Sequence, residues 1–258
     1  MSGLPVSKDL KNYVSSENLE RKAQGWIAEA RAASGRRRQP RWSRGSVLRR
    51  STQFDFSPEC AALLVIDMQE YFLNQKSHAC LPAGAAISQN VAALISAFRA
   101  RGLPVIFTRH AVAEGEDAGS MARWWGDILR EGDPLSQIIW KAAPLEGEAV
   151  IRKTQYDAFY GTDLEKILRE KGVRRLAICG VMTDLCCETT ARSAFVRGFD
   201  VFFCADGTAT INESLHISAL RTLAHGFAEI VSCGEIVQAL KCGAGRCAKT
   251  IKTPEAPQ

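Results

Sequence analysis

Short apolar runs and helical repeats follow one another along most of this 258-residue chain. The apolar runs predict strands, and the stretches with apolar residues every three or four positions predict helices. Such β–α units predict an α/β fold with three layers, in which a six-stranded, mostly parallel sheet carries helices on both faces. The predicted strands are residues 61–66, 104–108, 149–152, 176–179, 199–204 and 228–231, and the predicted helices are 84–101, 162–171, 184–197, 212–225 and 235–240.

The chain before this pattern has a different composition. Residues 8–33 place apolar side chains between polar ones and predict a helix, and residues 34–52 are rich in arginine. We therefore divide the chain into three parts: an N-terminal extension with a helix and an Arg-rich linker (1–52), a main domain (53–241) and a polar, flexible tail (242–258).

The formal net charge of +5 comes from one segment. Residues 36–50 hold seven arginines and no acidic residue, so the rest of the chain has a formal charge of −2. The segment is compatible with binding nucleic acid or an acidic surface, helped by Trp42, and also with an arm that is solvated or docks on protein. No nucleic-acid-binding fold signature accompanies it. We therefore expect no nucleic-acid partner.

The lengths of the apolar runs and the pattern of cysteines indicate the cellular location of the protein. No run approaches the roughly 20 residues of a membrane span, and the first residues lack the apolar core of a secretory signal. The nine cysteines have no framework spacing, which favours reduced thiols, and Cys179, Cys204 and Cys233 lie in or next to apolar runs as small core residues. Cys242 and Cys247 lack the His or second Cys pair of a zinc site. We expect a cytoplasmic protein with no membrane partner.

Polar side chains stand where the predicted strands end. Asp67 follows the first strand, Arg109 and His110 follow the second, Lys153 follows the third, and Cys186 comes shortly after the fourth. The functional crevice of a parallel α/β sheet lies outside the carboxyl ends of its strands. An acid, a cation and a thiol are therefore expected at one edge. Asp67 as a helix cap and Lys153 as an exposed lysine remain the structural alternatives.

Two adjacent cysteines open the helix predicted at 184–197, and helical phase separates them. Cys187 shares a stripe with Ala191 and Ala194, which is typical of a core face, whereas Cys186 lies one position off that stripe. Free N–H groups and the helix dipole favour an anion in such a turn, so the thiol is expected to lose its proton easily. Cys186 is the predicted nucleophile.

Three segments, in order, resemble motifs of the isochorismatase-like cysteine hydrolases. The resemblance runs from about residue 60 to residue 240 and leaves residues 1–52 outside. It implies a Rossmann-like six-stranded parallel sheet, a catalytic triad of Asp67, Lys153 and Cys186, a cis peptide bond between Val181 and Met182, and a homo-oligomer. The segments are Leu-Val-Ile-Asp-Met-Gln-Glu-Tyr-Phe (64–72), Lys153 with Tyr-Asp-Ala-Phe-Tyr-Gly-Thr-Asp-Leu (156–164), and Gly-Val-Met-Thr-Asp-Leu-Cys (180–186).

These groups suggest a mechanism. Asp67 would take the thiol proton of Cys186, and Lys153 would stabilise the thiolate. Attack on an amide-like carbonyl would give a thioester that water hydrolyses. The backbone N–H groups of Met182 and Cys186, with Val181 beside them, are placed for an oxyanion hole.

The resembled family holds two kinds of chemistry. Members that keep the cysteine split C–N bonds of amide, carbamoyl or ureido compounds, whereas isochorismatases proper cleave a vinyl ether, release pyruvate and lack the nucleophile. Cys186 therefore favours C–N hydrolysis. Gln69, Phe72, Trp125 and Tyr156 match positions that hold the isochorismatase substrate, which leaves the vinyl-ether alternative open. Phe72 and Trp125 are equally compatible with a role as core aromatics. A non-enzymatic binding or scaffold protein that uses the N-terminal arm is a third alternative.

The remaining predictions concern ligands and partners. Arg109 is a candidate for binding a substrate carboxylate, with a structural salt bridge as its alternative. Nicotinamidases carry a metal site after the second strand, and here His110 has no partner of suitable spacing, which argues against that activity. We expect no metal and no cofactor. The expected partners are a small-molecule substrate and further copies of the chain, as a dimer or tetramer.

Overall fold

The structure is a computed structural model that describes residues 12–34, 54 and 56–242. Apart from Ser34, the predicted Arg-rich linker (34–52) lies outside the described residues, as does the tail after Cys242. Within the part of the chain that is described, no helix is both long enough and apolar enough to cross a membrane.

In the described part of the chain, six strands form a single sheet, and every neighbouring pair in it is parallel. They are β1 (Ala61–Ile66), β2 (Val105–His110), β3 (Ala149–Lys153), β4 (Arg175–Val181), β5 (Asp200–Ala209) and β6 (Glu229–Val231). The spatial order β3-β2-β1-β4-β5-β6 reverses between β1 and β4. This confirms the predicted Rossmann-like parallel sheet. At such a reversal a crevice opens beyond the carboxyl ends of the strands.

Helices cover both faces of this sheet. Among the described residues they are α1 (Leu19–Ala33), α2 (Glu70–Leu73), α3 (Pro82–Ala100), α4 (Gly119–Trp125), α5 (Leu164–Glu170), α6 (Glu188–Val196), α7 (Glu213–Gly226) and α8 (Cys233–Cys242). Helix α3 packs against α8, whereas α7 packs against both α1 and α6. Trp125 is the last residue of α4.

The first helix is shorter than predicted. It begins at Leu19, whereas the apolar pattern extended back to residue 8, and residues 8–11 lie outside the described part. The Asn18 side chain accepts a hydrogen bond from the Ser15 N–H (2.9 Å), a local bond that competes with the helix. Val14 is nevertheless buried, so this irregular stretch still packs on the domain.

The cysteines are distributed almost as predicted. Cys179, Cys204 and Cys233 are buried free thiols, although Cys233 opens α8 rather than ending a strand. Cys60 is disulfide-bonded, so the expectation of reduced thiols throughout is wrong at this position.

Candidate active site

Lys153 joins the two other predicted catalytic residues. Its ammonium Nζ lies 2.7 Å from Oδ2 of Asp67 and donates a hydrogen bond to Sγ of Cys186 at 3.2 Å. A third contact, 3.0 Å to the carbonyl oxygen of Gln155, fixes the ammonium group from the side of its own chain. The Asp67 and Lys153 side chains have no exposed surface, so this ion pair is shielded from water. The structure thus brings the acid, the cation and the thiol together.

Strand β2 orients the carboxylate of Asp67. The Thr108 hydroxyl donates to Oδ1 of Asp67 (2.6 Å) and accepts from the Asp67 N–H (3.0 Å). Asp67 itself has a φ of 46°, in the left-handed region that non-glycine residues seldom adopt. The side chain is therefore held by a neighbouring strand at the point where the backbone of β1 turns.

The segment that carries Cys186 begins with a close approach of two strands. Gly180 lies beside Ile66, and a Cβ at Gly180, whose φ is 122°, would come within 2.0 Å of the Ile66 carbonyl oxygen. Only glycine fits there. The peptide bond between Val181 and Met182 is cis, as the resemblance implied.

Residues Thr183–Cys187, which we call the nucleophile turn, form a π-helical turn ahead of α6. The N–H groups of Leu185 and Cys187 both donate to the Met182 carbonyl oxygen, at 3.2 and 3.1 Å. The helix predicted from residue 184 therefore opens with one wide turn. Such turns occur often at functional sites.

The structure separates the two adjacent cysteines as the helical phase predicted. Cys187 is fully buried in the core, while Cys186 lines a pocket at the carboxyl edge of the sheet. Cys186 is therefore the thiol that a small molecule in this pocket can reach.

The expectation that the thiol loses its proton easily is wrong for this arrangement. The pKa of Cys186 is raised to about 12, because burial and the Asp67 carboxylate, both of which raise it, together exceed the lowering by the Lys153 ammonium. Lys153 has a raised pKa because the charges of Asp67 and Cys186 outweigh the effect of its burial. The resting site is thus a neutral thiol beside a carboxylate–ammonium pair.

The pocket beside Cys186 has mostly apolar and aromatic walls. Three of the predicted substrate-binding residues line it, namely Phe72, Trp125 and Tyr156, and the Trp125 indole N–H donates to the Tyr156 hydroxyl at 2.7 Å. That hydrogen bond joins α4 to the segment after β3. The other lining residues are Tyr71, His110, Val112, Ala118, Met121, Ala122, Asp127, Ile128, Leu129, Met182 and Leu185.

The two remaining predicted substrate-binding residues do not line this pocket. The Gln69 amide donates to the carbonyl oxygens of His110 (2.9 Å) and Ser136 (2.8 Å) and accepts from the His110 N–H (2.8 Å). The Arg109 guanidinium pairs with Glu131 at 2.7 Å. Both side chains therefore tie the end of β2 to the loop that follows α4, and for Arg109 the structural alternative is the one observed.

Several pocket residues were not predicted as site residues. Tyr71 and Asp127 line the pocket, where the Tyr71 hydroxyl donates to the Asp127 carboxylate (2.5 Å), and that carboxylate also contacts His78 (2.8 Å). Tyr71 lies four residues after Asp67, a spacing that was available in the sequence. Asp127 belongs to an irregular segment whose position no periodicity reveals.

His110 contributes a neutral ring to the pocket wall. Burial lowers its pKa to about 4, with the Lys153 charge adding to the effect. Its Nδ1 has no hydrogen-bond partner among the described residues. The His110 ring thus adds an uncharged surface to the pocket wall.

Comparison with known proteins identifies the family. The family model of the isochorismatase domain matches residues 61–235, more than half of the chain. The chain belongs to the isochorismatase family.

Relatives of this isochorismatase-family protein include named hydrolases. It is 40% identical over 192 residues to "Nicotinamidase 3" of Arabidopsis thaliana, which covers 72% of this chain and 91% of the relative. Its fold resembles a cysteine hydrolase from Pseudomonas syringae pv. phaseolicola (TM-score 0.71, 28% identity, 73% of this chain and 96% of that one). It also resembles an N-carbamoylsarcosine amidase from Thermoplasma acidophilum (TM-score 0.61, 26% identity, 67% and 96%). The prediction of a hydrolase is confirmed.

The likeness to a nicotinamidase and the sequence argument against that activity point in different directions. In the sequence, His110 has no partner at a spacing suited to a metal site. Across the residues that the structure describes, no three or more His, Cys, Asp or Glu side chains form a group that could hold a metal ion. Nicotinamide therefore belongs among the compounds to be tested, with the metal dependence measured rather than assumed.

Proposed function

We propose that this isochorismatase-family hydrolase splits the C–N bond of a small amide, carbamoyl or ureido compound through a thioester on Cys186. One observation carries the proposal: a buried ammonium group, that of Lys153, contacts both a carboxylate and a thiol that faces a pocket. The names of two relatives, a nicotinamidase and an N-carbamoylsarcosine amidase, support the same bond type.

The chemistry follows from the charges. As Sγ of Cys186 attacks the substrate carbonyl, its proton passes to Asp67, and the Lys153 ammonium stabilises the negative charge on sulfur. The carbonyl oxygen becomes an oxyanion, for which we propose the backbone N–H groups of Met182 and Cys186 as donors. Protonated Asp67 then gives its proton to the departing nitrogen, and the C–N bond breaks. Water, deprotonated by Asp67, attacks the thioester carbonyl; the C–S bond breaks, the acid is released, and Asp67 returns the proton to Sγ of Cys186.

The pocket walls narrow the substrate class. Phe72, Trp125 and Tyr156 present aromatic surface close to Cys186, which suits a flat group beside the scissile carbonyl. The His110 ring lines the same pocket without carrying a charge. We therefore place neutral, planar carboxamides, nicotinamide among them, ahead of carboxylate-bearing ureido compounds.

The experiment is a substrate screen joined to detection of the intermediate. Purified protein is offered carboxamides, carbamoyl compounds and ureido compounds, with and without a chelator, while released ammonia or amine is measured. Turnover should vanish in Cys186→Ala and persist in Cys187→Ala, the matched control that removes the neighbouring core thiol. Mass spectrometry of quenched reactions should find an acyl group on the Cys186 peptide. Full turnover by Cys186→Ala on every substrate found would rule out the covalent route.

A different experimental result would support the alternative, hydrolysis of a vinyl ether. Pyruvate release from isochorismate that survives Cys186→Ala but not Asp67→Asn would favour it. The structure weakens one observation in its favour, the match of Gln69 to a substrate-binding position. The Gln69 amide makes its hydrogen bonds with backbone groups and does not line the pocket.

We also propose a homo-oligomer, a dimer or tetramer, and a cytoplasmic location. The first follows from the family resemblance and is tested by light scattering of the full chain. The second follows from the composition and is tested by fractionation of cells that produce the protein.

A further inference from the structure

We propose that residues 12–34, which we call the N-terminal segment, position the nucleophile turn through Tyr13 and Trp26. This inference rests on the proposed function of Cys186. The family match begins at residue 61, so the segment lies outside the matched domain. It nevertheless contacts His216 and Thr210, whose side chains hydrogen-bond to Thr183 and Asp184 at the start of the nucleophile turn.

The first support reaches Thr183. Its hydroxyl lies 2.9 Å from Nδ1 of His216, and both residues are completely buried. The Trp26 ring packs edge-on against the His216 ring, with 4.5 Å between centroids, and the Tyr13 ring lies 6.0 Å from it. Burial lowers the pKa of His216 to about 4, so the ring is neutral and holds Thr183 by a neutral hydrogen bond. The Trp26 and Tyr13 rings are thus the groups through which the N-terminal segment packs against this imidazole.

The second support reaches Asp184. The Thr210 hydroxyl donates a short hydrogen bond to Oδ1 of Asp184. The Thr210 N–H in turn donates to the Tyr13 hydroxyl at 3.2 Å. Tyr13 therefore touches both supports: its ring lies by His216 and its oxygen binds Thr210.

The N-terminal segment is anchored well enough to act as a support. The Trp26 indole N–H donates to Glu213 at 2.8 Å, and Lys22 pairs with the same carboxylate at 2.9 Å. At the other end of α1, Arg31 donates to the Ile230 carbonyl oxygen at 2.7 Å. That last contact is remote from the nucleophile turn, which makes Arg31 a matched control.

The hydrogen bonds that hold Thr183 and Asp184 should affect the position of the Cys186 thiol. Cys186 comes three residues after Thr183, and its Sγ must stay within reach of Lys153 and of the proposed oxyanion donors. A displacement of about 1 Å in such a site lowers the rate up to 10²-fold. Loosening Thr183 or Asp184 should therefore lower the rate of acylation rather than the affinity for a substrate.

The test uses 4-nitrophenyl acetate as a probe that acylates Cys186, with the acetylated Cys186 peptide measured by mass spectrometry in the full chain. Tyr13→Phe, which removes only the hydroxyl, should slow the limiting acylation rate about fivefold, the factor that one neutral hydrogen bond is worth. The half-saturating probe concentration should stay within about twofold. Trp26→Leu should slow acylation about tenfold, and Trp26→Phe, which restores an aromatic ring, should recover most of the loss.

Arg31→Met, the control, should lower the melting temperature without slowing acylation. If Tyr13→Phe acylates at the wild-type rate, or if all four variants slow only in proportion to their loss of melting temperature, the segment is merely structural and the inference is wrong. Failure of the proposed function looks different: wild-type Cys186 would then carry no acetyl group.

Discussion

Replacing Asp67 with Asn should make the Cys186 thiol more reactive while it abolishes hydrolysis. Asparagine keeps the side-chain shape and an oxygen that can accept from Thr108, so the change removes mainly a charge. Oδ2 of Asp67 and Sγ of Cys186 lie 2.7 and 3.2 Å from the same Lys153 nitrogen, and so at most 5.9 Å from each other. At an effective dielectric constant of about 20, two charges at this distance interact by about 3 kcal/mol, or about two pKa units.

The pKa of Cys186 should therefore fall from about 12 to roughly 10 in Asp67→Asn. At pH 8 the thiolate fraction then rises about 100-fold, but a less basic thiolate is a weaker nucleophile, which leaves about a tenfold gain in alkylation rate. The assay is reaction with iodoacetamide, with the adduct located on the Cys186 peptide and Cys187→Ala as the background control. Alkylation that is unchanged or slower in Asp67→Asn would refute the charge argument, since the carboxylate would then not oppose the thiolate.

Three further predictions concern the surroundings of this pair. Lys153→Met should lower the free energy of unfolding by about 3–5 kcal/mol in urea titrations, because it leaves the buried Asp67 carboxylate without its cation. Trp125→Phe removes the hydrogen bond to Tyr156 and should raise KM about fivefold with little change in kcat, as steady-state kinetics would show. His216 has a folded pKa of about 4, below its unfolded value, so its contribution to stability is complete above pH 6.5 and is lost as the pH falls towards 4. Unfolding at pH 5 should cost about 2 kcal/mol less than at pH 7.5 from this group, and His216→Gln should flatten the difference; an unchanged pH dependence would contradict the assignment.

The sequence was sufficient to place Asp67, Lys153 and Cys186 together. Continuous apolar runs marked the buried parallel strands, and the carboxyl ends of such strands share one edge. Helical phase then distinguished Cys186 from Cys187. These inferences succeeded because strand burial and helical periodicity depend on neighbours a few positions away.

The predictions that Gln69 and Arg109 bind substrate were wrong for the pocket, because the contacts of these side chains depend on partners distant in the chain. Gln69 and Arg109 stand at strand ends, as substrate-binding residues would, but Ser136 and Glu131 engage them from the loop after α4. That loop has no period from which its course could be read. The residues that line the pocket could therefore be identified only from the structure.

Burial also reversed an inference that used local structure alone. A thiol in the first turn of a helix should be acidic, yet the pKa of Cys186 is raised to about 12 because the turn is enclosed and a carboxylate lies close by. Strand β5 shows a related limit, since it runs on to Ala209, past the predicted end at residue 204. Its polar residue Asp206 is buried there because it accepts hydrogen bonds from the Cys233 N–H and from Asn90.

The raised pKa of the thiol favours one group as the base in the proposed mechanism. Forming free thiolate at pH 7 from a thiol of pKa about 12 costs about 7 kcal/mol. A kcat of about 10 s⁻¹ corresponds to a barrier of about 16 kcal/mol, so a separate deprotonation would use nearly half of it. Lys153 cannot take the proton, because its raised pKa keeps it charged, and its ammonium already donates to the sulfur. In the proposed mechanism Asp67 remains as the acceptor, and transfer of the proton to it during C–S bond formation avoids a free thiolate. The charge that makes the resting thiol unreactive is then the same charge that permits attack.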